Sequence, residues 1–513
     1  LEKQDSVIAY TPGNAVQIKV KVVGDLTSWE SKIDGLTPWS ALPDYDYLLK
    51  QQSFTTIKKQ AFSSTGQKIG DGSDVDTEKD ARTLPQEPKI DNITGEWEIS
   101  EWDIHCIVVG AGIYGTGGGG SPQMGLIRAL KALRDGKKMR VVTPERLFKD
   151  SDPENSVVII SAFIGAPLIM YEQGISSKET TAALECLRNL YEIGEFTNGS
   201  IKNTDGVIIE TNKAGCSFVK NYHPKEKASG VQKIIGLMSA EIGGSNAIEP
   251  FLIAANLDLP IIDGDGMSRA FPEVQMFIPY MYGKAPYPVA IVGSGNCSTR
   301  TALINAPSGK HLENFLRDVS IENGCSAGLA IPLKIEEVLT TTPLYTVSRA
   351  WRLGDAILRA RLQKESVIQA IILQEDARHV LTGKVRDVKR ETSGGFNRGH
   401  VIMEGIDDWQ EHVLRIEFQN ENLVIIQVKN GENDCCVGSV PDLICLVDAD
   451  TAEPVTTEEL KYGMRLAVLL MPSHDLLRQP QALQWVGPQA FHYDDIEFKP
   501  FRQRTITTPI PPV

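Results

Sequence analysis

Several patterns that carry well-defined chemistry are missing from this 513-residue chain, and each absence removes a class of function. Its eight cysteines (106, 186, 216, 297, 325, 435, 436 and 445) show no C-x-x-C and no framework spacing, which argues against a disulfide scaffold or zinc knuckle and reads as scattered reduced thiols. The histidines include no H-x-x-x-H or H-E-x-x-H pair, so a helix-borne zinc site is absent, and a divalent metal such as zinc would have to be held by ligands gathered from distant segments. Neither Ser161 nor Ser294 lies in G-x-S-x-G, and Ser294, in the turn Gly293-Ser294-Gly295, reads as structural. No lysine closes a glycine-rich run in the manner of a triphosphate-binding loop, so ATP is not expected as a cofactor. Positive charge is also scarce: a net charge of −14, a pI near 5.2 and the lack of a basic cluster with interleaved aromatics argue against nucleic acid. The longest apolar stretch, residues 157–171, is too short to span a bilayer and is broken by Gly165 and Pro167, so no membrane partner is expected. No charged-then-apolar leader precedes it, and a cytoplasmic protein is the simplest fit. The chain begins at Leu1 rather than Met, from which we expect a piece of a longer polypeptide.

What the chain does have is glycine in an unusual place. Gly117-Gly118-Gly119-Gly120 closes the segment HCIVVGAGIYGTGGGGSP, and four successive glycines imply a backbone that approaches something closely. Gly110, Gly112 and Gly115 also satisfy G-x-G-x-x-G, but the dinucleotide fold needs a helix starting inside that motif. Here residues 116–120 cannot be helical, and the credible start is Ser121 as cap with Pro122 at the first helical position. NAD is therefore not expected. The preceding stretch reads either way, as a helix opened by a capping box at Ser100 and Asp103 or as a strand through Ile107, Val108 and Val109. The glycine run reads best as a loop whose amides, backed by the helix at 122–135, hold an anion or polar ligand, with a packing turn as the plain alternative.

Length alone predicts two or three domains. Residues 6–26 read as two strands around Pro12-Gly13-Asn14, within an N-terminal segment 1–61. Residues 62–96 lack hydrophobic periodicity and read as a linker. From 97 to 378, apolar runs alternate with helical periodicity, predicting an α/β domain built on a mainly parallel open sheet. From 379 to 513 the pattern becomes strands and turns, predicting a β-rich C-terminal domain.

In open α/β sheets ligands bind outside the carboxyl ends of the strands, and small residues follow successive apolar runs at 115–121, 165–167, 243–246 and 264–266. Glu241, Asp263 and Asp265 stand at the ends of such strands, where a carboxylate must be paired, metal-bound or tuned for catalysis; the bland alternative is that they brace loops. Asn246 either caps the following helix or bonds a ligand. Arg269 carries a planar fork suited to a carboxylate or imide, and is otherwise a solvent-facing or salt-bridged side chain.

These residues resemble a known family. GTGGGGS (115–121), Gly165-Ala166-Pro167 with Glu172, EIGGSN (241–246), DGDGMSRAFPE (263–273), TSGGFNRG (392–399), FQNENL (418–423), PDLI (441–444), Tyr462-Gly463 and Gly487-Pro488 together look like the S-methyl-thiohydantoin desulfurase-like family over about residues 97–500. Residues 195–232 are less like it and read as an insertion. SVIAYTPGNAVQIKVKVVGDL separately resembles the C-terminal tail of hydantoinase A/oxoprolinase proteins, over about the first 60 residues, and a fusion of the two is expected. The resemblance implies a small cyclic substrate, with hydrolysis at the ring carbon of a methylated thiohydantoin releasing methanethiol and leaving a hydantoin. It would make Asp263 or Asp265 the base or metal ligand, Glu241 its partner, and the amides of Gly117–Gly120 donors to a ring oxygen. Related cyclic ureides, imides and lactams stay open, as does a homo-oligomer. The competing reading is a non-catalytic ligand-binding or partner module of a hydantoinase.

Because residues 62–95 contain too little apolar surface to offset their ordering entropy, limited proteolysis is expected to cut there first. Resistance of that stretch with cleavage elsewhere would move the boundary.

Overall fold

The computed structural model describes residues 6–11, 14–19 and 85–513, except 167–168, 171, 173–175, 193–195, 198–199, 202–208, 212–216, 221–232, 294–300 and 429–433. Two compact units result, residues 1–75 and 76–513. In the first, Ser6–Thr11 and Asn14–Lys19 pair as the expected antiparallel hairpin, with Thr11 opposite Asn14. Most of the stretch read as linker lies outside the described residues. Its end does not: strand β1 (Lys89–Ile90) pairs with β2 (Trp97–Glu98), so the folded body begins before residue 97.

The segment of ambiguous type is helix α1 (Glu101–Tyr114), opened by the Ser100–Asp103 capping box. This removes the dinucleotide reading outright, because Gly110 and Gly112 sit inside the helix. Twelve of its fourteen residues are buried, which suits a helix apolar on every side. Helix α2 (Pro122–Arg134) starts where Pro122 predicts, although the Ser121 side chain makes no capping hydrogen bond.

Beyond α2 come strands β3 (Arg140–Val142), β4 (Ser156–Gly165) and β5 (Lys233–Ser239), helix α3 (Glu249–Leu257) and strand β6 (Ile261–Asp265). They are followed by β7 (Val289–Gly293), β8 (Thr301–Asn305), β9 (Ser326–Lys334) and helix α4 (Thr346–Gln363). The strands join an eleven-stranded open sheet in the order β1-β2-β3-β6-β5-β4-β9-β7-β8, continued by Ser217–Lys220 and Ile209–Thr211 from the 195–232 excursion. Parallel pairing holds at its centre, β3-β6-β5-β4, and the flanking strands run antiparallel. The central strands are buried almost throughout, as continuous runs such as SVVIISAFIG and KIIGLMS require.

The C-terminal region forms the expected β-rich domain, and its sheet is antiparallel. Strands β10 (Arg378–Ser393), β11 (Phe396–Gly405), β12 (Val413–Gln419), β13 (Glu421–Val428), β14 (Cys435–Ser439), β15 (Leu443–Asp448) and β16 (Arg465–Met471) order as β14-β13-β12-β11-β10-β16-β15. In β12 the buried residues alternate, Leu414, Ile416 and Phe418, the two-residue period of a sheet with one face on a core. Leu423, Val424 and Ile426 of β13 join the core under the large sheet, so the two sheets share apolar packing.

Helices α1 and α4 cross through glycine on both sides. A Cβ on Gly110 would meet the Ala350 carbonyl oxygen at 2.0 Å, and one on Gly354 would meet that of Cys106 at 1.8 Å. The crossing is fixed by reciprocal bonds, Trp102 Nε1 to Asp355 and Trp351 Nε1 to Asp103. Since helix backbone cannot give way as a flexible side chain can, Gly354→Ala is expected to cost about 1–3 kcal/mol in urea unfolding, against a negligible effect of the exposed-site control Leu362→Ala.

Candidate functional site

The loop after α1 is made of conformations that only glycine adopts readily: φ is +99° at Gly117, +75° at Gly119 and +80° at Gly120. Its carbonyls are taken from two directions. Thr116 and Gly117 accept from the amides of Asn422 and Thr457, while Gly119 and Gly120 accept from Asn246 and Ser245. Gly118 needs space instead, because a Cβ there would lie 1.9 Å from Glu421 Oε1. Its amide donates to Gly115, so the expected role as a ligand donor does not fall to it.

At the carboxyl ends of β4 and β5, beside this loop, lies a partly enclosed cavity of about 90 Å³. Gly119, Gly120, Glu241, Asn246 and Glu421 supply its polar lining, and Phe163, Phe271 and Met170 part of its apolar wall. The two strands are parallel, and the cavity lies outside their carboxyl ends, where ligands bind in open sheets. Asn246 lies in a short 3-10 turn (Gly244–Ala247), not at the cap of α3. Its Nδ2 donates to Glu241 Oε1 at 2.7 Å, and its Oδ1 accepts from the Phe163 amide at 2.9 Å. The Phe271 amide donates to the other Glu241 oxygen at 3.2 Å. Burial pushes the Glu241 carboxyl up to about 7, with Asp265 adding to the shift and the Asn246 and Phe271 hydrogen bonds opposing it.

Asp263 and Asp265 do not join Glu241 in the cavity lining, contrary to the expectation that the three carboxylates share it. Asp263 accepts from the amide and hydroxyl of Ser348 and so holds the start of α4. Asp265 Oδ2 accepts from the amides of Ile242, Met267 and Ser268, tying together the loops on either side of Glu241. Burial raises both to about 6. Arg269 is not a free clamp either. Its guanidinium, fully buried, donates to Thr116 Oγ1 at 2.6 Å and to the carbonyls of Asp442 at 2.9 Å, Ala270 at 3.0 Å, and Pro441 and Asn422 at 3.4 Å.

Glu421 is the residue that sequence reasoning passed over. It opens β13 and is 3 % exposed, and its Oε2 is buried without a hydrogen-bond partner. Burial, then the neighbouring Glu241, hold its proton well above the ordinary carboxyl range, with Arg269 opposing. The signal available was the motif FQNENL, in which Asn420-Glu421-Asn422 stand directly before the apolar run LVII; all three are buried. Among the described residues no group of three or more His, Cys, Asp or Glu is arranged to hold a metal ion.

Residues 102–301 match the model of the S-Me-THD-like, N-terminal domain, and residues 307–501 that of the S-Me-THD-like, C-terminal domain. A protein from Chromobacterium violaceum, solved by X-ray crystallography, has a similar fold at a TM-score of 0.60 and 20% identity, covering 79% of this chain and 100% of its own. No curated protein matches.

Between its ordinary value of 4.5 and about 7, Glu241 keeps a proton in the folded state that the unfolded chain has released. Stability therefore falls as pH rises through that window, by about 1.4 kcal/mol per unit for this group. Thermal midpoints are expected to fall across that range in the wild type, with Asp263 and Asp265 contributing in the same direction, and to fall less steeply in Glu241→Gln.

Proposed function

Because the chain belongs to the S-Me-THD-like family, whose two domains it carries in order, we propose that it is a hydrolase of a cyclic ureide-type substrate. The reaction is hydrolytic C–S cleavage of an S-methylated thiohydantoin, giving a hydantoin and methanethiol. The observation that carries this reading is Glu241: a carboxyl raised to about 7, held by Asn246 at one oxygen, on the wall of a cavity with aromatic sides. A general base is most effective when its proton affinity lies near the working pH. Glu241 takes a proton from water as the water oxygen adds to the ring carbon between two nitrogens. Asn246 keeps the accepting oxygen in place, and Phe163 and Phe271 offer flat apolar surface to the ring. Asp265 acts one step back, by fixing the loops that carry Glu241 and Arg269. The hairpin near the N-terminus fits a hydantoinase-type tail, and we place the enzyme in a larger hydantoinase-type polypeptide in the cytoplasm. No helix among the described residues is long and apolar enough to cross a membrane.

The test is thiol release from an S-methylated thiohydantoin by the purified chain, with the hydantoin identified as co-product. Glu241→Gln is expected to lower kcat by about 10²–10⁴-fold while retaining ligand binding. Binding of the ring by the wild type without any thiol release would instead favour a non-catalytic binding module.

A further inference from the structure

The reaction just described needs a second group, because a methanethiolate leaves poorly without a proton. We propose that Glu421 is the proton donor, sharing the cavity with Glu241 and giving its proton to the departing sulfur; this rests on the hydrolytic reading above. Three observations of placement support it. Glu421 lines the same cavity as Glu241. Its Oε2 is buried and has no hydrogen-bond partner, as a carboxyl awaiting a ligand atom would be. Gly118 has no side chain where Oε1 sits, so the glycine run makes room for this carboxyl.

The charged surroundings fit the role. Glu421 is faced by Glu241 from the loop after β5, by Arg269 from the loop after β6, and by Glu458 from the turn that includes Thr457. Burial and the two acids favour the neutral form, while the arginine, bound by carbonyls and Thr116, opposes them only in part. Two carboxyls are thereby given opposite tasks, one basic near neutrality and one still protonated. Glu241 removes one proton from water while the oxygen bonds to the ring carbon and the C=N electron pair moves to nitrogen. As the tetrahedral carbon collapses to C=O, the C–S pair leaves with sulfur and takes the Glu421 proton as methanethiol. The remaining hydroxyl proton ends on the ring nitrogen. Transfer of the proton from Glu241 to Glu421 restores the starting state, and the net reaction consumes one water.

The test compares two leaving groups on one ring, S-methyl and S-(4-nitrophenyl), the second departing as a stable thiolate that needs no proton. Glu421→Gln is expected to lower kcat about 10²-fold or more with the S-methyl substrate and only a few-fold with the nitrophenyl one. Glu241→Gln should slow both. The alkaline limb of the kcat–pH profile should vanish in Glu421→Gln, and Glu421→Asp should restore part of the S-methyl rate. Equal losses on both substrates, or none on either, would overturn the assignment. A second readout does not depend on turnover: infrared spectra at pH 9, where Glu241, Asp263 and Asp265 have lost their protons, should contain a protonated-carboxyl band that Glu421→Gln removes. Absence of that band refutes the proton donor. Its presence in a protein that releases thiol from neither substrate would refute the hydrolytic reading while leaving Glu421 protonated.

Discussion

The guanidinium of Arg269 is the constraint around which the site is arranged. A buried, unpaired charge costs several kcal/mol, and this one is tolerated because five oxygens surround it. Two of them, on Thr116 and Ala270, come from the segment of the N-terminal family domain; three, from Asn422, Pro441 and Asp442, come from the C-terminal one. The ring of Phe271 lies under the same cation at 4.7 Å. Satisfying one arginine therefore sets the glycine loop against β13, and with it Glu421 near Glu241. A lysine, with three donors on one nitrogen, could not meet five acceptors, so the residue type follows from their number.

Buried acids in this region divide by whether they line the cavity. Asp265 takes three amides on its Oδ2 and Asp263 takes the amide and hydroxyl of Ser348, arrangements that hold backbone in place. Glu241 and Glu421 line the cavity, and Glu421 has there an oxygen with no protein partner, whereas Asp265, whose Oδ1 is likewise unpartnered, does not line it. Burial raises the proton affinity of all four, so the shift alone does not separate a brace from a reactive group.

Much of the architecture was legible in the chain because it rests on local patterns. Pro122 marked the start of α2, the continuous apolar runs marked the central strands, and the succession of strands and turns after residue 379 marked the β-rich domain. Glu241, Asn246 and the glycine loop were legible too, since strand ends followed by small residues point to the crevice of an open sheet. The rest depended on tertiary contact. Nothing local distinguishes Asp263 and Asp265 from Glu241, and the difference comes from Ser348 and from Ile242 reaching the first two. Arg269 reads as a free fork until carbonyls distant in sequence enclose it. Glu421 was hidden for the same reason, because an acid at the start of an apolar run becomes a cavity wall only when β13 packs beside the glycine loop.

The glycine loop accepts hydrogen bonds from β13 and the Thr457 turn on one side and from the Ser245–Asn246 turn on the other. It is thus a seam of backbone with no side chains to interlock, closed by polar bonds that are individually modest. A seam of this kind opens as a unit, and any local unfolding that frees β13 removes one wall of the cavity before the central sheet is disturbed. Loss of ligand binding should therefore precede loss of secondary structure on heating, so that occupancy of the cavity reports how well the two halves of the chain are docked.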